Sequence, residues 1–145
     1  MSKAKIPKPE IQATREIKSE KESRISISFQ YLTTNKNFNF EVSKKKSHDK
    51  LHAFKYLVEF LKRLTSKTMK DIINFGKKQD CGFETLEFKQ IEFSPNNYTL
   101  CKDEKIYSFR FGAGDGYRML GFFEYNQTVL NIIGFDFNHS AYDHE

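Results

Sequence analysis

The chain contains no tryptophan, three prolines and two cysteines in 145 residues. Cys81 and Cys101 are too few for a disulfide framework or a four-ligand zinc site. The simpler reading is two reduced, buried thiols in a reducing compartment, with the cytoplasm as the default. No apolar run approaches the ~18 residues of a membrane-spanning helix, so no membrane partner is expected. The N-terminal stretch MSKAKIPKPEIQ lacks an apolar core, so it does not read as a secretory signal. Apolar residues are also sparse at 38%. What the chain does have is aromatics: fifteen Phe and seven Tyr predict an aromatic core. The length fits one domain.

The net charge of +5 hides an asymmetry. Residues 1–80 carry 19 Lys+Arg and 9 Asp+Glu, whereas residues 81–145 carry 5 and 10. A balance of +10 beside one of −5 points to a polyanion, nucleic acid above all, as partner of the first part. The competing reading is a lysine-rich solvated surface.

Residues 1–24 are rich in charge and nearly devoid of apolar side chains. Such a segment cannot offset its ordering entropy, so a mobile arm precedes a single domain over 25–145. Ile25, Ile27 and Phe29 alternate with polar residues and predict a strand. Asn35-Lys36-Asn37 is turn chemistry, and Phe38, Phe40 and Val42 alternate as a second strand, completing a hairpin. Lys44, Lys45 and Lys46 form a basic connector. Leu51, Phe54, Leu57, Val58, Leu61 and Leu64 then recur at helical spacing from an N-cap at Ser47. A short second helix is expected from Thr65 or Ser66, through Met69, Ile72 and Ile73, to Gly76. Strands follow over 83–92, 106–111, 117–125 and 128–137, the last nearly all apolar and therefore central. The predicted order is β-β-α-α-β-β-β-β, an α+β fold with two helices on one face of an antiparallel sheet.

Candidate chemistry is thin. Gly112, Gly114 and Gly116 resemble a phosphate loop, but no Gly-Lys-Ser/Thr follows and the next element reads as a strand. A turn needing positive φ explains them better. His139 and His144, beside Asp136 and Asp143, do not have a specific metal-ligand spacing, so no metal is expected. His48 and His52, at i,i+4, read as a solvated helix face. More weight falls on Arg110 and Arg118, the only arginines after Arg63. On adjacent strands they could clamp a phosphodiester and its developing charge. His139 and Tyr142 follow the last strand, and either could move a proton or stack on a base. The alternative pairs the two arginines with Glu87, Glu92 or Glu124 across the sheet.

The segments Tyr107-Ser108-Phe109-Arg110-Phe111-Gly112, Tyr117-Arg118-Met119-Leu120-Gly121, Val129-Leu130-Asn131-Ile132-Ile133 and His139-Ser140-Ala141-Tyr142 resemble the C-terminal half of the RelE/ParE superfamily of toxins. The resemblance implies two helices on one side of a curved antiparallel sheet. It also implies a bacterial or phage origin and an inhibitory antitoxin partner. RelE-like members cut mRNA on the ribosome: the 2′-hydroxyl attacks the adjacent phosphate and leaves a 2′,3′-cyclic phosphate, with no metal or other cofactor. Carried over, Arg110 and Arg118 would steady the phosphate and Tyr142 would stand at the terminal tyrosine, with His139 the further catalytic candidate that the residues themselves offer. Lys55, Lys62 and Arg63 of the helix would face ribosomal RNA, while Lys44, Lys45 and Lys46 would bind phosphates if the chain were a simple nucleic-acid-binding module.

This chain departs from that pattern in its arm, its extra first hairpin and the Asp136-Phe137-Asn138-His139 run where many active members carry Arg or Lys. ParE-like members act on gyrase and cut no RNA. A non-catalytic binding protein of the same fold, or a simple nucleic-acid-binding module, are therefore the alternatives.

Overall fold

The computed structural model describes residues 23–41, 47–74, 81–112, 116–138 and 140–142. The sequence-predicted arm and Lys44–Lys46 lie outside them, apart from the arm's last residues, as do Gly76, Gly114 and His139. Among the described residues are five strands and two α-helices: β1 (Ser26–Ser28), α1 (Ser47–Leu64), α2 (Met69–Ile72), β2 (Phe83–Glu87), β3 (Lys105–Phe111), β4 (Tyr117–Glu124) and β5 (Val129–Asp136). They build one mixed sheet in the order β1-β5-β4-β3-β2. The α+β class is as expected, and the apolar β5 is internal.

The first hairpin does not form. β1 pairs in parallel with β5, Ile27 opposite Leu130, instead of with a neighbour in sequence. A short 3-10 helix, Lys36–Phe38, forms at the expected turn, and residues 38–41, where the second strand was expected, form no strand, Val42 lying outside the described residues. Asparagine chemistry explains the change. Asn35 Oδ1 accepts from Asn37 N at 3.0 Å. Asn39 donates from Nδ2 to the Thr33 carbonyl at 3.0 Å and accepts from Glu41 N at 2.8 Å. These side chains satisfy the backbone locally and so compete with a strand ladder. Phe38 is buried and Phe40 exposed, although a strand would put both on one face.

Helix α1 buries Ala53, Leu57, Phe60 and Leu64 against the sheet. Phe60 stacks on Phe111 at 6.2 Å and meets Phe109 at 6.1 Å. This buried face is rotated from the one the sequence spacing picked out. Leu57 and Leu64 belong to both, but Leu51, Phe54 and Val58 face outward. Helix α2 begins later than expected, at a capping box. Thr68 Oγ1 accepts from Asp71 N at 3.1 Å, and Thr68 N donates to the Asp71 carboxylate at 2.9 Å. Those bonds hold the Asp71 carboxyl below its ordinary range.

Alternation along β3 divides its side chains between two cores. Tyr107, Phe109 and Phe111 face the helices, and Ile106 faces a second cluster built from irregular segments. Phe38, Phe93, Leu100, Ala141 and Tyr142 cover that second face. Gly134 makes the close approach possible: a Cβ there would lie 2.4 Å from the Phe93 ring. A bulge intervenes in β5. Leu120 pairs with Gly134 and Gly121 with Ile132, so Ile133 is the extra residue. Its carbonyl accepts from Thr33 N at 2.8 Å, which fastens the 30s loop to the sheet.

Candidate functional site

Antiparallel register puts Glu84 opposite Ser108 and Arg110 opposite Arg118, with Arg118 opposite Asp136 on its other side. Directly opposed residues share a face, so these side chains rise from the sheet face away from α1. The β3–β4 turn that sets this register begins at Gly112, whose φ of +80° favours glycine. Two like charges directly opposite each other are destabilising. Yet neither arginine forms an ion pair among the described residues. The expected alternative, pairing with Glu87, Glu92 or Glu124, is not what their hydrogen bonds show. Arg118 donates to the Gly116 carbonyl at 2.9 Å and to the Tyr142 hydroxyl at 3.3 Å.

The acid closest in register, Asp136, is spent on the backbone. Fully buried, it accepts from Asn138 N at 3.1 Å, Ser140 N at 3.0 Å and Ala141 N at 3.1 Å. These bonds fold the chain after β5 back over the sheet. The Ala141 carbonyl, accepting from Glu92 N at 2.8 Å, pins it there.

Tyr142 is thereby laid on Ser108. Its hydroxyl donates to Glu84 Oε1 at 2.6 Å. It lies 2.9 Å from Ser108 Oγ. A phenol has one proton, so with Glu84 taking it the serine donates. Burial pushes the Tyr142 phenol above the ordinary tyrosine value, and the Glu84 hydrogen bond pushes the same way against Ser108 and Arg118. Tyr142 is therefore a neutral proton donor at physiological pH. Glu84, partly exposed, is the accessible base, and Arg110 the exposed cation.

The structure thus brings together Arg110, Arg118 and Tyr142. The other expected proton carrier, His139, lies outside the described residues. Lys55, Lys62 and Arg63 are exposed on α1, across the sheet from the arginines. One phosphate cannot meet both groups. Glu84 and Ser108 were missed from the sequence. Only the pairing of β2 with β3 reveals them, although Glu84 stands out as an acid in an alternating strand. No protein-family model, curated protein or solved structure matches this chain. Among the described residues, no three His, Cys, Asp or Glu side chains group as metal ligands. No helix of the described residues is long and apolar enough to cross a membrane.

Proposed function

We propose that this chain is a toxin of a RelE-like kind, a metal-independent, ribosome-dependent endoribonuclease restrained by a cognate antitoxin. The observation that carries the reading is the adjacent pair Arg110 and Arg118, two guanidinium groups without carboxylate partners among the described residues. Such a pair suits a non-bridging phosphate oxygen and the charge that grows on it. In this reading Arg110 binds the phosphate from solvent and Arg118 fixes the Tyr142 hydroxyl. Glu84 accepts the proton of the attacking 2′-hydroxyl. The 2′-oxygen bonds to phosphorus, the bond to the 5′-oxygen breaks, and that oxygen takes a proton from Tyr142 or His139. Lys55, Lys62 and Arg63 would meet other RNA of a large assembly such as the ribosome. Lys44, Lys45 and Lys46, outside the described residues, would add phosphate contacts.

One observation favours a second reading. Tyr142 is only 6% exposed and its hydroxyl already has three partners. That arrangement also fits a non-catalytic binding protein, with Tyr142 as a clamp. Inducing the chain in growing bacteria and mapping mRNA 5′ ends separates the two. Growth arrest with new cleaved ends, both lost in Arg110→Ala, is the expected result. Growth arrest with intact mRNA would leave the binding protein, and normal growth would overturn the toxin.

A further inference from the structure

Beside the second core lies a cleft of about 610 Å³, lined among the described residues by Asn35, Asn37, Phe38, Glu92, Asn138 and Ser140. A space of that size suits a small-molecule ligand. Three separate segments build it, and each is fastened through its backbone. Thr33 N donates to the Ile133 carbonyl at 2.8 Å, and Asn35 Oδ1 accepts from Asn37 N at 3.0 Å. Asp136 accepts from Asn138 N and Ser140 N. Glu92 N donates to the Ala141 carbonyl at 2.8 Å. The side chains of Asn37, Glu92, Asn138 and Ser140, by contrast, are exposed and make no hydrogen bond or ion pair among the described residues. The walls are held in place while their polar groups stay unspent, which lowers the ordering cost of binding a ligand.

The chemistry of the lining selects the ligand. Among the described residues Glu92 is its one charged side chain, so a phosphate or carboxylate is repelled. An organic amine would satisfy Glu92 but offer no acceptor to the asparagine N–H groups. A nucleobase needs an aromatic face to stack on. Phe38 spends its own on Phe93, at 4.6 Å and 23°, and is only 6% exposed. A hydroxyl group donates once and accepts twice, which matches a lining of amides, a hydroxyl and a carboxylate. Two neighbouring hydroxyls of one ring can each donate to an oxygen of the same carboxylate, a charge-assisted pair. We propose that this cleft is a saccharide-binding site. Glu92 takes two neighbouring ring hydroxyls, and Asn37 and Asn138 bond further hydroxyls from their separate loops. The proposal does not rest on the RNA reading and uses none of its residues.

The test is an NMR titration of the full, isotope-labelled chain. The probes are methyl glycosides of glucose, galactose, mannose and N-acetylglucosamine, with spermidine, inorganic phosphate and cytosine as controls. The expected result is that at least one glycoside shifts the side-chain amide signals of Asn37 and Asn138, with a Kd of about 1 mM or tighter. Glu92→Gln should weaken that binding about tenfold, as should Asn37→Ala/Asn138→Ala. Thermal melting should be unchanged in both variants, since these side chains hold nothing in the fold. Failure of every glycoside to shift those signals would overturn the proposal, as would equal affinity in the natural chain and both variants. So would spermidine, phosphate or cytosine binding at the same amides more tightly than any glycoside.

Discussion

Tyr142 donates its hydroxyl proton to Glu84 across 2.6 Å, joining residues 58 apart in sequence. The bond ties the end of the described chain to the edge strand β2. It exists because Asp136 turns the backbone and because Glu84 and Ser108 share a register position. The same atoms serve as fastener and as candidate proton relay, and the predictions that follow separate those roles.

Removing the hydroxyl tests the fastener. In Tyr142→Phe the ring still fills its place, but the nearly inaccessible Ser108 loses its recorded side-chain partner. Glu84 is partly exposed and reaches water. The expected cost is about 1–3 kcal/mol, the desolvation of an unsatisfied buried group. Urea denaturation should show a lower midpoint with an unchanged slope.

Alkaline titration tests the proton. Burial holds the folded Tyr142 phenol above 10.0, while the unfolded phenol ionises near that value. The folded state therefore keeps its proton more tightly. This contribution to stability is whole below the unfolded value and is lost as pH rises through the folded one. Tyr98 is raised as well, by burial and by Glu124 and Glu104. Stability measured by urea from pH about 8 to about 12 should fall at the alkaline end. Tyr142→Phe should flatten part of that fall, and Tyr142→Phe/Tyr98→Phe more of it. Equal alkaline slopes in all three chains would refute the assignment.

Period-two alternation made β3, β4 and β5 legible, and helical spacing made α1 legible. Both signals are local. The first hairpin failed because Asn35 and Asn39 offer the backbone side-chain partners that alternation cannot register. The rotation of α1 was hidden for another reason. The helix carries apolar residues over more than one face, and only the sheet beneath selects Ala53 and Phe60 over Leu51 and Phe54. The pairing of Arg110 with Arg118 could be anticipated because one short turn joins their strands. Glu84 could not, because a long connection separates β2 from β3.

Asp136 is where a wrong charge for phosphate binding turns out to have structural work. Asp136→Ala strands three backbone donors, of which Ala141 N is fully buried. The expected loss is about 3 kcal/mol, since hydrogen bonds to a charged acceptor are the stronger kind. Detachment of the residues after β5 should come with it. Limited proteolysis should then cut beyond Phe137 in the variant under conditions that leave the natural chain intact. Hydrogen exchange at Ala141 N should rise in step.

Arg110→Ala separates chemistry from stability. Arg110 is exposed and makes no ion pair among the described residues, so its loss should change stability by no more than about 0.5 kcal/mol. It would even relieve repulsion from Arg118 directly opposite. If Arg110 holds the scissile phosphate, cleavage should fall about a hundredfold or more, the usual effect of deleting one group that stabilises developing charge. Arg110→Lys keeps the charge but not the planar fork and should recover only part of the rate. Primer extension on mRNA, set beside thermal melting of the same three chains, reads both quantities. Unchanged cleavage in a folded Arg110→Ala chain would remove the arginine pair from the chemistry and leave its like-charge contact without a function.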